Sequence, residues 1–539
     1  MKKQYLLVLA VFTGCMAETL AQTTFPLITK EGGASSKTSL TLRESKLKKA
    51  REVYDRLVSA RGDTRYPVPN LTLGTSEQNG AIMYYSVPEI MLEEKAYDVC
   101  ASFGPDMDAA LATVLGHELT HYYEKHGWRR GFVADYRDLQ IKMKLDSLQE
   151  KVGYETQADY IGGFLAYTAG YGAFDKGPLL IQAIYDAYGL KDSLMHGYPA
   201  REDRKELSRR TAQKIKDLIE VFDMANLLTV VDLYAEARQY YNYVLKEYQS
   251  REIYNNLGVL AVLEARGKFK ENEFKYHLPI ELDLQSSSAK GEPEEKADRE
   301  KLLAEALRNF NSAISLDPNY ALAYLNKACA YALLGDYARA QFYAEVEAIQ
   351  CAAKHGPSET ASDAKVLLGI LAAVQRDTLK AQKIFEAEKF SKNALAETNL
   401  KILLRQEPEH KRSSDKPESI DDIDLDAYKD VAGSLSETMI GDGIAFHQDT
   451  PEGKGSKIYM TTQGSYKPSV FFHITEPGYK GESARGISIG SDRAAIEKAY
   501  GAWQRIIKTP RGEILKYGKV IFILGPEGKV ERWVNYLKV

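Results

Sequence analysis

The segment Gly116-His117-Glu118-Leu119-Thr120-His121 sets two imidazoles and a carboxylate at a spacing that suits metal chemistry. On an α-helix, residues four apart lie about 40° apart around the axis, so His117 and His121 project from one face. Two neutral imidazoles so placed can hold one Zn²⁺. Glu118 lies about 100° round from His117. That puts it beside such an ion and not on it, where it can take a proton from an activated water. Two histidines and a water leave a zinc site one protein ligand short. His126 follows His121 by five residues, about 140° round a continuing helix, and cannot share the ion there. Glu155, in Tyr154-Glu155-Thr156-Gln157-Ala158-Asp159, is the better donor. Taken alone, an acid at the start of an apolar helix reads as a helix-end charge. Asp159, one turn later, can accept the free ring N–H of a ligand histidine.

These side chains need two helices and a strand to position them. Met107 to Tyr123 contains no proline, and Ala110, Leu111, Val114, Leu115 and Leu119 recur at helical spacing, which predicts a helix with a buried stripe. Gly127 is a candidate stop. Ala158, Ile161, Leu165 and Ala166 predict a second buried helix that opens near Glu155 and runs to about Thr168. Upstream, Gly80 to Ser86 reads as a strand, a candidate edge for an extended substrate by β-augmentation.

H-E-L-T-H followed by His126, then E-x-x-A-D at Glu155 to Asp159, resembles the gluzincin metallopeptidases of the HtpX, Oma and CAAX prenyl protease family. The resemblance covers about residues 45–215, inside a metallopeptidase domain assigned to 40–218. It implies His117, His121 and Glu155 as zinc ligands, Glu118 as general base and Asp159 as a support. The family's later H-P segment, followed by an arginine near the active site, corresponds to Met195-His196-Gly197-Tyr198-Pro199, with Arg204 beyond it. Tyr198 stands where that histidine would be and His196 lies two residues earlier, so the transition-state or gating role stays open between His196 and Tyr198. The spacing from His121 to Glu155 is short for the family and implies a trimmed loop.

At 539 residues with 44% apolar content, the chain can bury several cores and is expected to hold three or more domains. A net charge of −4 gives no case for nucleic acid or an anionic membrane surface. Lys2-Lys3, the apolar run Tyr5 to Gly14 and the small residues to Ala21 read as a signal peptide, residues 1–21. Its apolar run is too short to span a bilayer. Export, with the periplasm as destination, is the expectation. The imperfect lipobox Phe12-Thr13-Gly14-Cys15 offers a lipid anchor at Cys15 as the alternative. No later run has the length of a transmembrane span. Cleavage after Ala21 leaves Cys100, Cys329 and Cys351, an odd set read as buried thiols with no disulfide framework.

Residues 219–404 read as tetratricopeptide (TPR) repeats. The cleanest unit has Tyr324, Ala328, Tyr331, Gly335-Asp336-Tyr337 and Ala340. Others carry Tyr254 to Gly258 with Ala306 to Phe310, and Leu368-Gly369, Ala372, Asp377, Ala381 and Phe385. A weaker unit has Ala237 and Tyr241. An insertion at 268–300 reads as a flexible, solvated loop. Such solenoids bind peptides or proteins on their concave faces. A polar linker follows at 405–420. Residues 421–539 then read as a small α+β domain without a catalytic constellation. Ile458 to Met460, Ser469 to Ile474 and Lys519 to Leu524 are its strands, with a hairpin into Val530 to Trp533 and a helix from Asp492 to Tyr500. Its lone His447 and His473 read as structural or exposed.

The fold expected is therefore multidomain: a mainly α gluzincin metalloprotease domain with a small sheet, an α-solenoid of TPR repeats, and a C-terminal α+β domain. The architecture resembles the repeat-bearing periplasmic (BepA-like) branch of the family. That implies a hydrolase with one Zn²⁺ per chain that cuts protein substrates in envelope quality control, with a protein partner on the solenoid. The rival reading is a TPR adaptor or chaperone whose zinc site is structural or latent. An intact Glu118 speaks against it, because a structural centre has no use for an acid there.

Overall fold

The computed structural model describes residues 35–78, 80–84, 88–124, 142–172, 174–190, 201–269, 273–280, 294–355, 358–406, 418–431, 435–441, 444–451, 455–463, 467–501, 503–509, 512–525 and 527–539. The signal segment, Cys15, His126, His196 and Tyr198 lie outside them. The chain divides into two compact units, 1–45 and 46–539. Within the first, the described residues are the opening turns of helix α1 (Ser35–Arg61).

After α1 come strands β1 (Asn70–Gly74), β2 (Ala81–Tyr84) and β3 (Glu89–Glu93). They form a three-stranded sheet in the order β1-β3-β2. β3 is parallel to β1 and antiparallel to β2, so β2 is an edge among the described residues. Helices α2 (Glu94–Ala101) and α3 (Met107–Tyr123) follow. The periodicity of Ala110, Leu111, Leu115 and Leu119 is realised as a fully buried stripe. Helix α4 (Lys142–Ala166) is longer than the pattern indicated, so Glu155 lies in its interior and not at its start. Beyond α4 the chain widens through Tyr167–Tyr171, where Gly170 takes φ 92°.

Helices α5 (Gly177–Ala187), α6 (Arg201–Val230) and α7 (Tyr234–Glu247) complete this part. α6 runs unbroken through the domain boundary placed at 218. Its Leu218, Val221, Phe222, Ala225 and Leu228 share one core with Leu111, Leu115 and Phe164. Ala237 and Tyr241 belong to that core as well. The Tyr241 hydroxyl bonds Asn226 at 2.5 Å, so the weakest repeat signal marks a helix of the first core.

The stacked pairs that follow are α8 (Arg251–Gly267) with α9 (Glu294–Leu316), then α10 (Ala321–Leu333) with α11 (Tyr337–Phe342) and α12 (Ile349–His355). Helices α13 (Ser358–Val374), α14 (Thr378–Phe390) and α15 (Ala394–Leu403) complete the set. Small residues let the helices close. A Cβ on Gly258 would stand 2.4 Å from the Phe310 ring, and one on Gly369 2.6 Å from Phe385. α9 begins at Glu294, inside the expected 268–300 loop. Residues 273–280 are also described, and Tyr276, Leu278 and Ile280 are buried in the repeat core. Cys100 and Cys329 are buried, but Cys351 is only partly so; its thiol donates to the Asn319 carbonyl at 3.0 Å.

The C-terminal sheet has eight strands: β4 (Ser436–Gly441), β5 (Ile444–Asp449), β6 (Ser456–Gln463), β7 (Lys467–Thr475), β8 (Arg505–Thr509), β9 (Gly512–Tyr517), β10 (Val520–Leu524) and β11 (Val530–Lys538). Their order is β4-β5-β6-β7-β11-β10-β9-β8. One face is covered by α16 (Arg493–Tyr500), whose N-cap Asp492 accepts from Ala495 N–H, and by Ile420 from the expected linker. The other face puts Tyr459, Val470, Phe472, Ile474, Ile521 and Val534 into the core of α3, α4 and α6. Arg532 seals that contact on Asp223 at 2.6 Å, and Asp223 also accepts from the Tyr167 hydroxyl at 2.5 Å. Among the described residues no helix is long and apolar enough to cross a membrane.

Candidate metal centre

α3 presents His117 and His121 on one face, and α4 crosses it with Glu155 and Asp159. The crossing depends on two glycines. A Cβ on Gly162 would stand 2.7 Å from the Gly116 carbonyl carbon and from the His117 backbone nitrogen. A Cβ on Gly116 would stand 2.8 Å from the Gly162 carbonyl oxygen. Backbone therefore touches backbone one residue before the first histidine, which draws the α4 carboxylates to the imidazoles.

His117 Nε2 lies 3.0 Å from His121 Nε2 and 3.2 Å from Glu155 Oε2. His121 Nε2 is 3.6 Å from Glu155 Oε1. Donors of a tetrahedral zinc site with bonds of about 2.0–2.1 Å stand about 3.3 Å apart. The three separations bracket that value, so the donor set fits the ion. The side chains are 15%, 17% and 20% exposed for His117, His121 and Glu155, so the point they face is open on one side. Among the described residues, these three are the group of His, Cys, Asp and Glu side chains that could hold a metal.

Support comes from behind. His117 Nδ1 is 2.7 Å from Asp159 Oδ1. Arg204 of α6 contacts both Asp159 oxygens at 2.9 Å. Burial disfavours the Asp159 charge, but Arg204 and His117 outweigh it and keep the carboxylate ionised. An ionised Asp159 only accepts, so His117 Nδ1 carries the proton and its Nε2 lone pair faces the donor set.

The same charges set the protonation of the rest. Burial opposes charge on His117, yet hydrogen bonds to Asp159 and Glu155 push its pKa up to about 10. Burial and the His117 charge take His121 down to about 4. Glu155 is buried too, but the His117 hydrogen bond and charge hold it at about 2. Proton and metal ion thus compete for one position. Glu118 lies within the field of His117 and Glu155. Burial raises it to about 7, against the His117 charge and a hydrogen bond from the Met83 N–H. That N–H lies on β2, so the edge strand reaches the general-base candidate.

The sequence pattern named His117, Glu118, His121, Glu155, Asp159 and Arg204, and the fold gathers them. It did not identify Met83 or the Gly116–Gly162 contact. The signals for the contact were a glycine preceding the first histidine and the Gly162-Gly163 pair inside an apolar helix.

Comparison with known proteins bears on the helical array. The tetratricopeptide repeat family matches residues 309–342. No curated protein matches the chain. The matched span takes in the end of α9, all of α10 and α11, where Ala328 and Ala340 are fully buried and Gly335 turns the chain at φ 77°. A repeat of this kind is a protein-binding architecture.

Proposed function

We propose that the chain is a zinc-dependent endopeptidase acting on protein substrates. The observation that carries this reading is the His117, His121 and Glu155 donor set with the Glu118 carboxylate beside it. His117, His121 and Glu155 would hold the ion, which when bound supplies Lewis-acid activation of water and of the scissile carbonyl. Asp159 and Arg204 keep His117 in the tautomer that offers Nε2. The Glu118 carboxylate takes a proton from the attacking water and returns it to the leaving amine, a role suited to a group that titrates near 7. The open edge of β2 receives the substrate as an added strand. The repeat array captures the protein from which that strand comes. Export to the periplasm and a task in envelope protein quality control follow from the signal-like N-terminus and the repeat-bearing architecture.

The test is metal analysis and casein digestion by the mature protein, wild type against Glu118→Gln. About one zinc in both proteins, with digestion by the wild type alone, supports the reading. Equal digestion by both proteins contradicts it, as does a wild type with no zinc.

A further inference from the structure

Glu93, the last residue of β3, is fully buried. A buried carboxylate is costly unless donors surround it. Here Oε1 accepts from the Ser76 hydroxyl at 2.6 Å, and both oxygens accept from the Gln78 N–H, at 3.2 and 3.1 Å. Oε2 also accepts from the Gly80 N–H at 3.1 Å. The Glu93 N–H in turn donates to the Gly80 carbonyl at 2.8 Å. Burial and the Glu93 carboxylate both raise the pKa of the Tyr188 phenol at the end of α5. One side chain thus gathers Ser76, Gln78 and Gly80 and contacts the end of α5.

That loop runs straight into β2. The bond between Glu93 and Gly80 fixes which groups of β2 face β3. Gly80, Ile82 and Tyr84 oppose Glu93, Met91 and Glu89, so the main-chain groups of Ala81 and Met83 face away from β3. It is from that side that the Met83 N–H reaches Glu118. A strand added there takes its register from the main-chain groups of Ala81 and from the Met83 carbonyl.

We infer that Glu93 is a positioning residue: by clamping loop 76–80 it holds the β2 edge against Glu118 and sets where an extended polypeptide lies across the donor set. The inference rests on the peptidase reading. It also accounts for a charge buried at a strand end, because hydrogen bonds to an ionised acceptor are stronger than neutral ones. A displacement of about 1 Å at the edge is enough to cost on the order of a hundredfold in rate.

Glu93→Gln tests it in the full mature chain, by hydrogen exchange, zinc content and casein cleavage. The amide that replaces the carboxylate keeps one acceptor oxygen and loses the charge, so the Ser76 hydroxyl and the Gln78 N–H no longer have a second acceptor and the remaining bonds weaken. Exchange should quicken within residues 76–84 while α3 and α4 keep their protection and zinc stays near one per chain. The kcat/KM on casein should fall at least tenfold, with KM rising and the cleavage sites spreading. Ser76→Ala removes one bond and leaves the charge satisfied; it should shift each readout in the same direction by less. Unchanged exchange at 76–84 in Glu93→Gln overturns the clamp. Faster exchange with wild-type kcat/KM and cleavage sites overturns its role in register. A wild type that cleaves nothing sinks the peptidase reading, and with it the role in register, while the exchange arm still decides whether Glu93 holds the edge.

Discussion

At the scale of single residues, the candidate centre is a problem of proton placement. His117 is useful as a donor only if its proton sits on Nδ1, and Asp159 at 2.7 Å enforces that. Arg204 keeps Asp159 ionised at the two 2.9 Å contacts. Asp159→Asn removes the charge and lets the amide face His117 with either end. Zinc affinity should fall about 10- to 100-fold, the usual range for loss of a partner behind a ligand histidine. Competition against a chromogenic chelator measures this, and wild-type affinity in Asp159→Asn would show that Asp159 does not orient the ring. His117, Glu118 and His121 were legible from the H-E-x-x-H spacing because one helix carries them. Asp159 was legible one turn after Glu155 and Arg204 only through family resemblance, and only the fold shows that they meet.

At the scale of elements, two adjacent glycines have opposite tolerances. A Cβ on Gly162 meets rigid backbone of α3 at 2.7 Å, whereas a Cβ on Gly163 meets the end of the Ile215 side chain at 2.4 Å, which can swing aside. Gly162→Ala should therefore lower stability by about 1–3 kcal/mol and weaken zinc binding, while Gly163→Ala does little to either. Thermal melts with zinc titration distinguish them; equal effects would remove the close crossing as the reason the two helices meet. In the C-terminal sheet, His473 of β7 is fully buried, contacts the Ser456 hydroxyl at 2.9 Å and leaves Nδ1 without a hydrogen-bond partner. Burial lowers its pKa from 6.5 to about 4. The unfolded chain thus binds the proton more readily, so stability is complete above pH 6.5 and is lost as pH falls toward 4. Between pH 7.5 and 5 this one group should account for about 2 kcal/mol. Urea unfolding at the two pH values should show a smaller difference in His473→Gln than in wild type; matching differences would assign the acid sensitivity to other groups.

At the scale of the whole molecule, the C-terminal sheet is a wall of the first core. Tyr459, Val470, Phe472, Ile474 and Val534 lie with Leu115, Phe164 and Phe222, and Arg532 bonds Asp223 across the contact. A chain ending at Gln406 exposes the α6 and α7 surface that this face covers, at about 1.5–3 kcal/mol per large side chain left uncovered. Such a truncation should melt well below the full chain and bind a hydrophobic dye. A truncated chain with an unchanged melting temperature would mean that the sheet is an independent appendage. The repeat array joins the same body through Arg251, which bonds Asp317 and donates to the Ser59 carbonyl at 2.9 Å.

What the sequence determined by itself was local. Helix α3 forms over its apolar stripe, though it ends at Tyr123 and not at the candidate stop Gly127, and the helices of the matched repeat carry their small and aromatic residues at fixed offsets. Strands β10 and β11 flank a glycine turn, and α16 has its capping aspartate and terminal glycine. Each of these follows from neighbours within a few turns of chain. The tertiary structure decided the rest, because those choices depend on contacts between distant residues. Glu155 lies mid-helix because α4 begins at Lys142, well before the apolar run of Ala158 to Ala166 that marked the helix in the sequence. α6 and α7 join the first core because their apolar faces are covered by a sheet more than two hundred residues later in the chain. The donor set closes because Gly116 and Gly162 let two backbones touch, a coincidence of two helices that no single stretch of sequence displays.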